Sequence, residues 1–183
     1  ILKLLSDGQF HSGTQIAQFL GVSRTSVSNA LRGIDEFGVT LYRVTGKGYR
    51  WINPVQWLDK DAINQYLAEY SQRFRITIDE VVESTNTILL NTSKAKNYDQ
   101  SMIDVVVTEL QTKGRGRRGR SWFSGLGDSL TFSLSWQFQQ GVNFLAGLSL
   151  AVGVAIIRTF TSLGIREVAL KWPNDLLFNT SKL

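Results

Sequence analysis

The 183-residue sequence predicts an α+β fold class, and three observations predict it. Apolar residues recur at helical spacing up to Gly38 and then switch to a period of two. Beyond residue 70, apolar runs of strand length alternate with stretches of helix length. The charge is also unevenly placed. Residues 1–50 carry 6 basic and 3 acidic side chains, residues 51–112 carry 5 and 9, and residues 113–183 carry 9 and 3, within an overall +5. These patterns divide the chain into an N-terminal module, residues 1–53, and a larger mixed α/β module, residues 54–183.

In the first module Ile1, Leu4 and Leu5 form a short apolar stripe ended by Asp7-Gly8. Ser12 is placed to cap a second helix carrying Ile16, Ala17, Phe19 and Leu20. Gly21 supplies a tight turn, and Ser23 opens a third helix whose Val27, Ala30, Leu31 and Ile34 are expected to face the core. Helix, glycine turn and helix in these lengths predict a helix-turn-helix. The third helix exposes Arg24, Thr25, Ser26, Ser28, Asn29 and Arg32 behind Ser23, short hydrogen-bonding groups and guanidiniums of the kind that read base edges and hold phosphates. A hairpin follows, from Val39 to Trp51, with Lys47 between two glycines at its tip. Behind a helix-turn-helix this is a wing whose lysine meets DNA phosphate. A protein-binding three-helix module is the alternative.

Asn53-Pro54 ends the first module, since the residue before proline is disfavoured in helix. The second module is expected to hold a helix over 58–70, a strand over 74–78 running on toward Val82, and a helix opened by Glu83-Ser84-Thr85-Asn86. A β-branched central strand over 102–110, a strand over 129–138, a long helix over 144–163 and a short strand over 168–171 complete it. No charged residue occurs from Ser129 to Ile157, which predicts buried core. The most apolar stretch, Phe144 to Ile157, has 14 residues, fewer than a bilayer-spanning helix needs, so no membrane association is expected.

Composition removes several chemistries. With no Cys there is no disulfide, thiolate metal site or Cys nucleophile, and a single His excludes His-based metal clusters and Ser-His-Asp triads. No metal-binding residues are assigned, and His11 receives no role. The absence of cysteine and of a recognisable signal segment predicts a cytoplasmic location.

The informative stretch is Gln111-Thr112-Lys113-Gly114-Arg115-Gly116-Arg117-Arg118-Gly119-Arg120-Ser121-Trp122. Glycines alternate with guanidiniums suited to phosphate or carboxylate, and an indole able to cover a planar ring follows. It is internal and framed by strands, unlike an RG-rich nucleic-acid tail, and it does not match a Walker A loop.

This loop, with Ser84-Thr85-Asn86, Lys171-Trp172-Pro173-Asn174-Asp175 and Ser181-Lys182-Leu183, resembles the biotin protein ligases. The preceding helix-turn-helix makes it similar to the bifunctional class in which the biotin ligase is also the biotin operon repressor. The resemblance runs over essentially all of the chain and implies a biotin/lipoate ligase-type catalytic domain using biotin and ATP, with Mg²⁺ accompanying the ATP. Biotinyl-5′-AMP would form and pass its biotinyl group to a lysine of the biotin carboxyl carrier protein of acetyl-CoA carboxylase. The implied partners are that carrier, operator DNA and, with biotinyl-AMP bound, a second copy of the chain.

By the same resemblance Ser84, Thr85, Asn86 and Gln111 would hold the ureido head of biotin, and Arg115, Gly116 and Arg117 would line the biotin and phosphate path. Arg120, Trp122, Lys171, Asn174 and Asp175 would serve the nucleotide, with Asn174 and Asp175 near ATP or Mg²⁺. Arg117 and Lys182 would act on the biotinyl carboxylate and phosphate as the catalytic pair. Two departures stand out. Glu83 occupies a position where the family commonly has Asp, and Gly125 follows Ser124 where Pro is usual. The family continues past this lysine, so the chain is expected to be a fragment, lacking residues at both ends, with weak or no ligase activity of its own. Two alternatives are a non-enzymatic regulator that senses a small ligand and a lipoate or octanoate transferase.

Overall fold

The computed structural model describes residues 1–53, 55–95, 97–99, 101–138 and 141–183, with the backbone alone at residues 71, 117 and 142–144. Pro54, on which the predicted module boundary turns, lies outside the described residues. Contacts divide the chain into two units, Ile1–Trp136 and Gln137–Leu183, and each is taken by itself.

The first unit opens with α1 (Leu2–Leu5), α2 (Gly13–Leu20) and α3 (Arg24–Ala30). Both predicted caps form. Ser12 Oγ accepts the Gln15 N–H at 3.1 Å while Gln15 Oε1 accepts the Ser12 N–H at 2.9 Å, a reciprocal capping box, and Ser23 Oγ accepts the Ser26 N–H at 3.0 Å. Leu5, Ile16, Ala17, Val27, Leu31, Val39 and Trp51 make the core of this part. Of the apolar residues read on the helix-turn-helix, Phe19, Leu20 and Ala30 lie outside the core. Phe19 is 73% exposed and Leu20 39%, because α2 ends there, and the two side chains rim an apolar groove of about 650 Å³ instead of entering the core. Ala30, expected to face the core, is exposed, whereas Ile34 packs against the core as expected, from a 3₁₀ turn over Ile34–Phe37 that starts after Gly33.

The wing is β1 (Leu41–Val44) antiparallel to β2 (Gly48–Trp51), with Leu41 opposite Trp51. Tyr49 and His11 exchange both backbone hydrogen bonds at 2.9 Å, and Arg43 Nη2 donates to the Leu31 carbonyl at 2.5 Å. The hairpin is thereby fixed to the start of α2 and to the end of α3. Asp59 then caps α4 (Lys60–Tyr66), accepting from the Asp61 and Ala62 amides. The helix is shorter than the expected 58–70 at both ends: the Asp59 cap sets its start, and beyond Leu67 the chain turns into a 3₁₀ segment.

β3 (Phe74–Val82) pairs parallel with β4 (Ile103–Gln111), and β4 pairs antiparallel with β5 (Thr131–Ser135), so β4 is central as its β-branched run predicts. The crossover from β3 to β4 carries α5 (Thr85–Thr92), which packs on β4 and β5. β5 is five residues where 129–138 is expected, because its ladder covers only Asp104–Thr108 of β4. Past that point β4 meets the segment after the wing and the N-terminal core. Glu109, 6% exposed, accepts the Leu58 N–H at 2.6 Å, and Leu110 joins the core around Leu5 and Leu31 together with Leu126. At the other end of the sheet, Asp104 takes Arg75 Nε at 2.5 Å and the Tyr98 hydroxyl, joining β3, β4 and the segment before β4.

The second unit has a 3₁₀ segment over Val142–Gly147, then α6 (Leu148–Ser162), and a meander of β6 (Val168–Lys171), β7 (Asp175–Phe178) and β8 (Ser181–Lys182). α6 packs on β6. It starts four residues later than expected, the preceding turn being 3₁₀. The predicted burial of the uncharged stretch does not hold within α6, where Gly153 is the one buried residue among those described. By length and composition Leu145–Ser162, 18 residues at mean hydropathy 1.6, could also cross a bilayer, a longer span than the 14 residues counted in sequence.

Candidate functional site

The N-terminus of α5 meets the end of β4 and the run into β5 around a recess of about 210 Å³. Six predicted residues line it: Ser84, Thr85, Asn86, Gln111, Arg115 and Trp122. They come from three chain segments, and Ser84 and Thr85 are buried at 3% and 2% exposure. Ser84 is the N-cap of α5, its Oγ accepting the Thr87 N–H at 3.4 Å, so it serves the helix start and the recess together.

Gln111 Oε1 accepts the Thr85 N–H at 2.8 Å and lies 3.1 Å from Thr85 Oγ1, which is in turn 2.8 Å from Ser133 Oγ. Ser129, Leu130, Thr131, Phe132 and Ser133 complete the lining, and sequence reasoning missed all five. Their signal was present as an alternation of hydroxyls (129, 131, 133, 135) with large apolar residues (130, 132, 134, 136).

The Arg/Gly loop closes on itself. The Trp122 N–H donates to the Gly114 carbonyl at 2.9 Å, the Gly116 N–H donates to the Arg120 carbonyl at 2.7 Å, and Arg115 bridges to Ser121. Gly114 is required at this crossing, since a Cβ there would sit 2.4 Å from the Trp122 carbonyl oxygen. The turn brings Arg115 and Trp122 to one recess, and Arg115 is the one charged side chain among its lining residues. Arg120 is exposed, and neither it nor Gly116 is among the lining residues. The Arg117 side chain lies outside the described residues. Arg118 takes φ 58 and ψ 35, a left-handed conformation costing about 1–2 kcal/mol in a residue with a Cβ. Glu83, the acid longer than the family's usual Asp, pairs with Lys113 at 2.5 Å across the loop base.

In the second unit the meander collects Lys182, Asn174 and Asp175. Asp175 Oδ1 accepts from Lys182 Nζ at 3.0 Å and from Asn174 Nδ2 at 3.3 Å, and Lys171 stands opposite Asp175 in the β6–β7 register. Among the described residues no three His, Cys, Asp or Glu side chains gather as a metal cage.

On the N-terminal module Ser23, Arg24, Thr25, Ser26, Ser28, Asn29 and Arg32 are all exposed, as is Lys47 at the wing tip. Arg32 Nη2 donates to Asn29 Oδ1 at 3.1 Å. Lys47 and Arg50 both lie 5.8 Å from the Phe10 ring centre, which adds Arg50 to the cations expected from sequence. Beside them Asp7 accepts the Gln9 N–H and His11 Nε2, and the first of these contacts chiefly holds its carboxyl below the usual range.

The family model described as biotin/lipoate A/B protein ligase matches residues 78–183, and an HTH domain model matches residues 1–50. The chain is 38% identical over 183 residues to the bifunctional ligase/repressor BirA of Salmonella typhimurium, covering 100% of this chain and 55% of that protein. It is 36% identical over 183 residues to the bifunctional ligase/repressor BirA of Escherichia coli, covering 100% and 54%. The biotin protein ligase of Leishmania major, solved in complex with biotinyl-5-AMP, superposes at a TM-score of 0.51 and 26% identity over 60% of this chain and 49% of that one. The chain spans about half the length of the curated relatives it matches.

Proposed function

The chain belongs to the biotin/lipoate A/B protein ligase family, and from that premise we propose that its parent protein ligates biotin to a carrier lysine and represses transcription under control of the same ligand. The observation that carries the ligase reading is the convergence of Ser84, Thr85, Asn86, Gln111, Arg115 and Trp122 on one recess. Hydroxyls and an amide at its buried end suit a urea ring. The guanidinium of Arg115 suits a carboxylate turning into an acyl phosphate.

In the first step a biotin carboxylate oxygen attacks the α-phosphorus of ATP, pyrophosphate leaves and biotinyl-5′-AMP forms. In the second, the ε-amine of a lysine on the biotin carboxyl carrier protein attacks the acyl carbon and AMP leaves. Two anions meet in the first step, so the catalytic demand is placed positive charge and exclusion of water. Arg115 and Arg117 of the loop, with Lys182 and Lys171 of the meander, would supply that charge. Gly116 and Arg120 would follow the phosphate path, Trp122 would cover the adenine side, and Asn174 and Asp175 would serve the nucleotide end. Mg²⁺ would arrive on the ATP phosphates, with Asp175 the carboxylate offered at the nucleotide end.

The repressor reading rests on the capped helix pair with its polar exposed α3 and the Lys47-tipped wing. Residues 1–53 would bind operator DNA, and residues 54–183 would contribute to the ligase domain. Biotinyl-AMP would order the Arg/Gly loop and favour a homodimer that sets two α3 helices on a palindromic operator. A cytoplasmic location suits both the ATP-dependent and the DNA-directed role.

Calorimetric titration of the full-length parent with biotin and ATP tests the first reading: saturable heat and pyrophosphate release are expected, and no binding ends it. Lipoate offered in the same assay separates this reading from a lipoate or octanoate transferase. Binding without pyrophosphate would turn the protein into a ligand sensor.

A further inference from the structure

The segment before α2 docks on the wing as a third strand. His11 and Tyr49 exchange backbone hydrogen bonds at 2.9 Å, an antiparallel bridge that sets Phe10 opposite Arg50. Arg50 in turn stands opposite Tyr42 in the β1–β2 register. Residues directly opposite share a face of the sheet, so Phe10, Arg50 and Tyr42 form one row across three strands. The row meets water: Arg50 is exposed and Tyr42 is 52% exposed.

Two cations gather on this row. Arg50 Cζ and Lys47 Nζ each lie 5.8 Å from the centre of the Phe10 ring. Among the described residues neither has an ion-pair partner. Asp7, the acid nearest to Phe10 in sequence, is already engaged: it accepts the Gln9 N–H at 2.9 Å and His11 Nε2 at 2.8 Å. Two like charges held on one ring without a counter-charge complement a polyanion. The α3 helix reaches the same segment, because a Cβ on Gly13 would stand 3.6 Å from Arg24 Nε and 3.4 Å from Tyr49 Cε2. Long cationic side chains lose rotamer freedom when they grip a phosphate, and a ring that orders them beforehand cuts that cost.

We propose that Arg50 is a second DNA-phosphate contact of the wing beside Lys47, and that Phe10 is the positioning residue that orders both cations. The inference rests on the repressor reading above and adds which residues carry the sequence-independent part of DNA binding.

Phosphate contacts carry no sequence information, so the probe is a mixed-sequence duplex of about 40 base pairs. Its affinity for the full-length protein is measured between about 50 and 200 mM salt. One phosphate contact adds about 0.9 to the slope of log affinity against log salt, or about 8-fold in affinity at about 0.1 M. Arg50→Ala and Lys47→Ala should each flatten the slope by about 0.9, and Arg50→Lys should keep it. Phe10→Leu retains both charges, so the slope should hold while affinity falls about 3- to 5-fold at an unchanged urea midpoint. Phe10→Tyr, which restores a ring, should recover the affinity. Should Phe10→Leu lower the urea midpoint, Phe10→Met replaces it in the comparison with Phe10→Tyr. A wild-type slope in Arg50→Ala overturns the phosphate contact and leaves the DNA reading intact. So does a variant that loses binding to anionic phospholipid vesicles but not to the duplex, which would give the patch to a membrane. Equal affinities of the ring-less and ring-bearing variants at position 10 overturn the role of Phe10. Wild-type protein that fails to bind the duplex even at the lowest salt brings down the repressor reading itself.

Discussion

Leu126 donates its backbone N–H to the Phe37 carbonyl at 2.9 Å and sits 6% exposed in one core with Leu5, Ile16, Val27 and Leu31. It lies four residues beyond Trp122, which lines the ligand recess. The helix-turn-helix is therefore not an appendage: the strap that leaves the Arg/Gly loop is built into its core. Leu126→Ala should cost about 2–4 kcal/mol, the transfer and cavity cost of a buried leucine. Urea unfolding of the full-length protein would show a lower midpoint at an unchanged slope, whereas Leu126→Met should lie within about 1.5 kcal/mol of wild type. A wild-type midpoint for the alanine variant would mean that the strap contributes nothing to this core.

The wing depends on Gly48. Its φ is 99, and an added Cβ would stand 2.1 Å from the His11 carbonyl oxygen and 2.6 Å from Ser12 Cα. Both are backbone atoms at the start of α2 and cannot swing aside. Gly48→Ala should separate the wing from α2, accelerating amide hydrogen exchange at His11 and Tyr49, whose N–H groups bond each other's carbonyls. Operator affinity should fall even though Lys47 is untouched. Unchanged exchange at those two amides would refute the packing argument.

What the sequence made legible follows from where local signals sit. Ser12, Ser23 and Ser84 are caps whose hydrogen bonds close within three residues, so their helices could be read from spacing. β4 carried its own signal as an uninterrupted β-branched run. Ala30 was misplaced because helical period marks an apolar stripe without saying whether a partner covers its last turn. Beyond the β5 ladder, Glu109 turns to Leu58 and Leu110 to the N-terminal core, long-range events without local trace. For the recess, the Ser-Thr-Asn and Arg/Gly segments were found by motif. Ser133 was missed because its contact with Thr85 spans 48 residues of sequence.

Alkaline pH should loosen the far end of the sheet. The Tyr98 hydroxyl donates to Asp104, and this bond holds the phenol above its ordinary pKa. An unfolded tyrosine ionises near pH 10, so the proton is lost first from the unfolded chain. The stability Tyr98 confers is thus fully present below about pH 10 and is lost as pH climbs through the raised folded value. Tyr98→Phe should be less stable at neutral pH but should show a flatter decline between about pH 9 and 11 in urea midpoints. Parallel curves for the two proteins would show that the Tyr98–Asp104 bond carries no such linkage.

Lys182 supplies the clearest separation of stability from chemistry. Its Nζ is 3.0 Å from Asp175 Oδ1, with the lysine side chain 57% exposed, and exposed pairs of this kind contribute only about 0–1 kcal/mol. Asp175 also accepts from Asn174, so the lysine is held at the end of a polar row and not buried for packing. If its charge exists to meet a carboxylate and phosphate, Lys182→Met should leave the urea midpoint of the full-length protein nearly unchanged. Biotinyl-AMP formation should fall by about 100- to 1,000-fold, the usual cost of removing one group that stabilises developing negative charge. Pyrophosphate release at saturating ATP measures it, and Lys182→Arg should recover part of the rate by restoring the cation. A Lys182→Met rate within about 3-fold of wild type would remove this lysine from the reaction and leave it as one half of a surface pair.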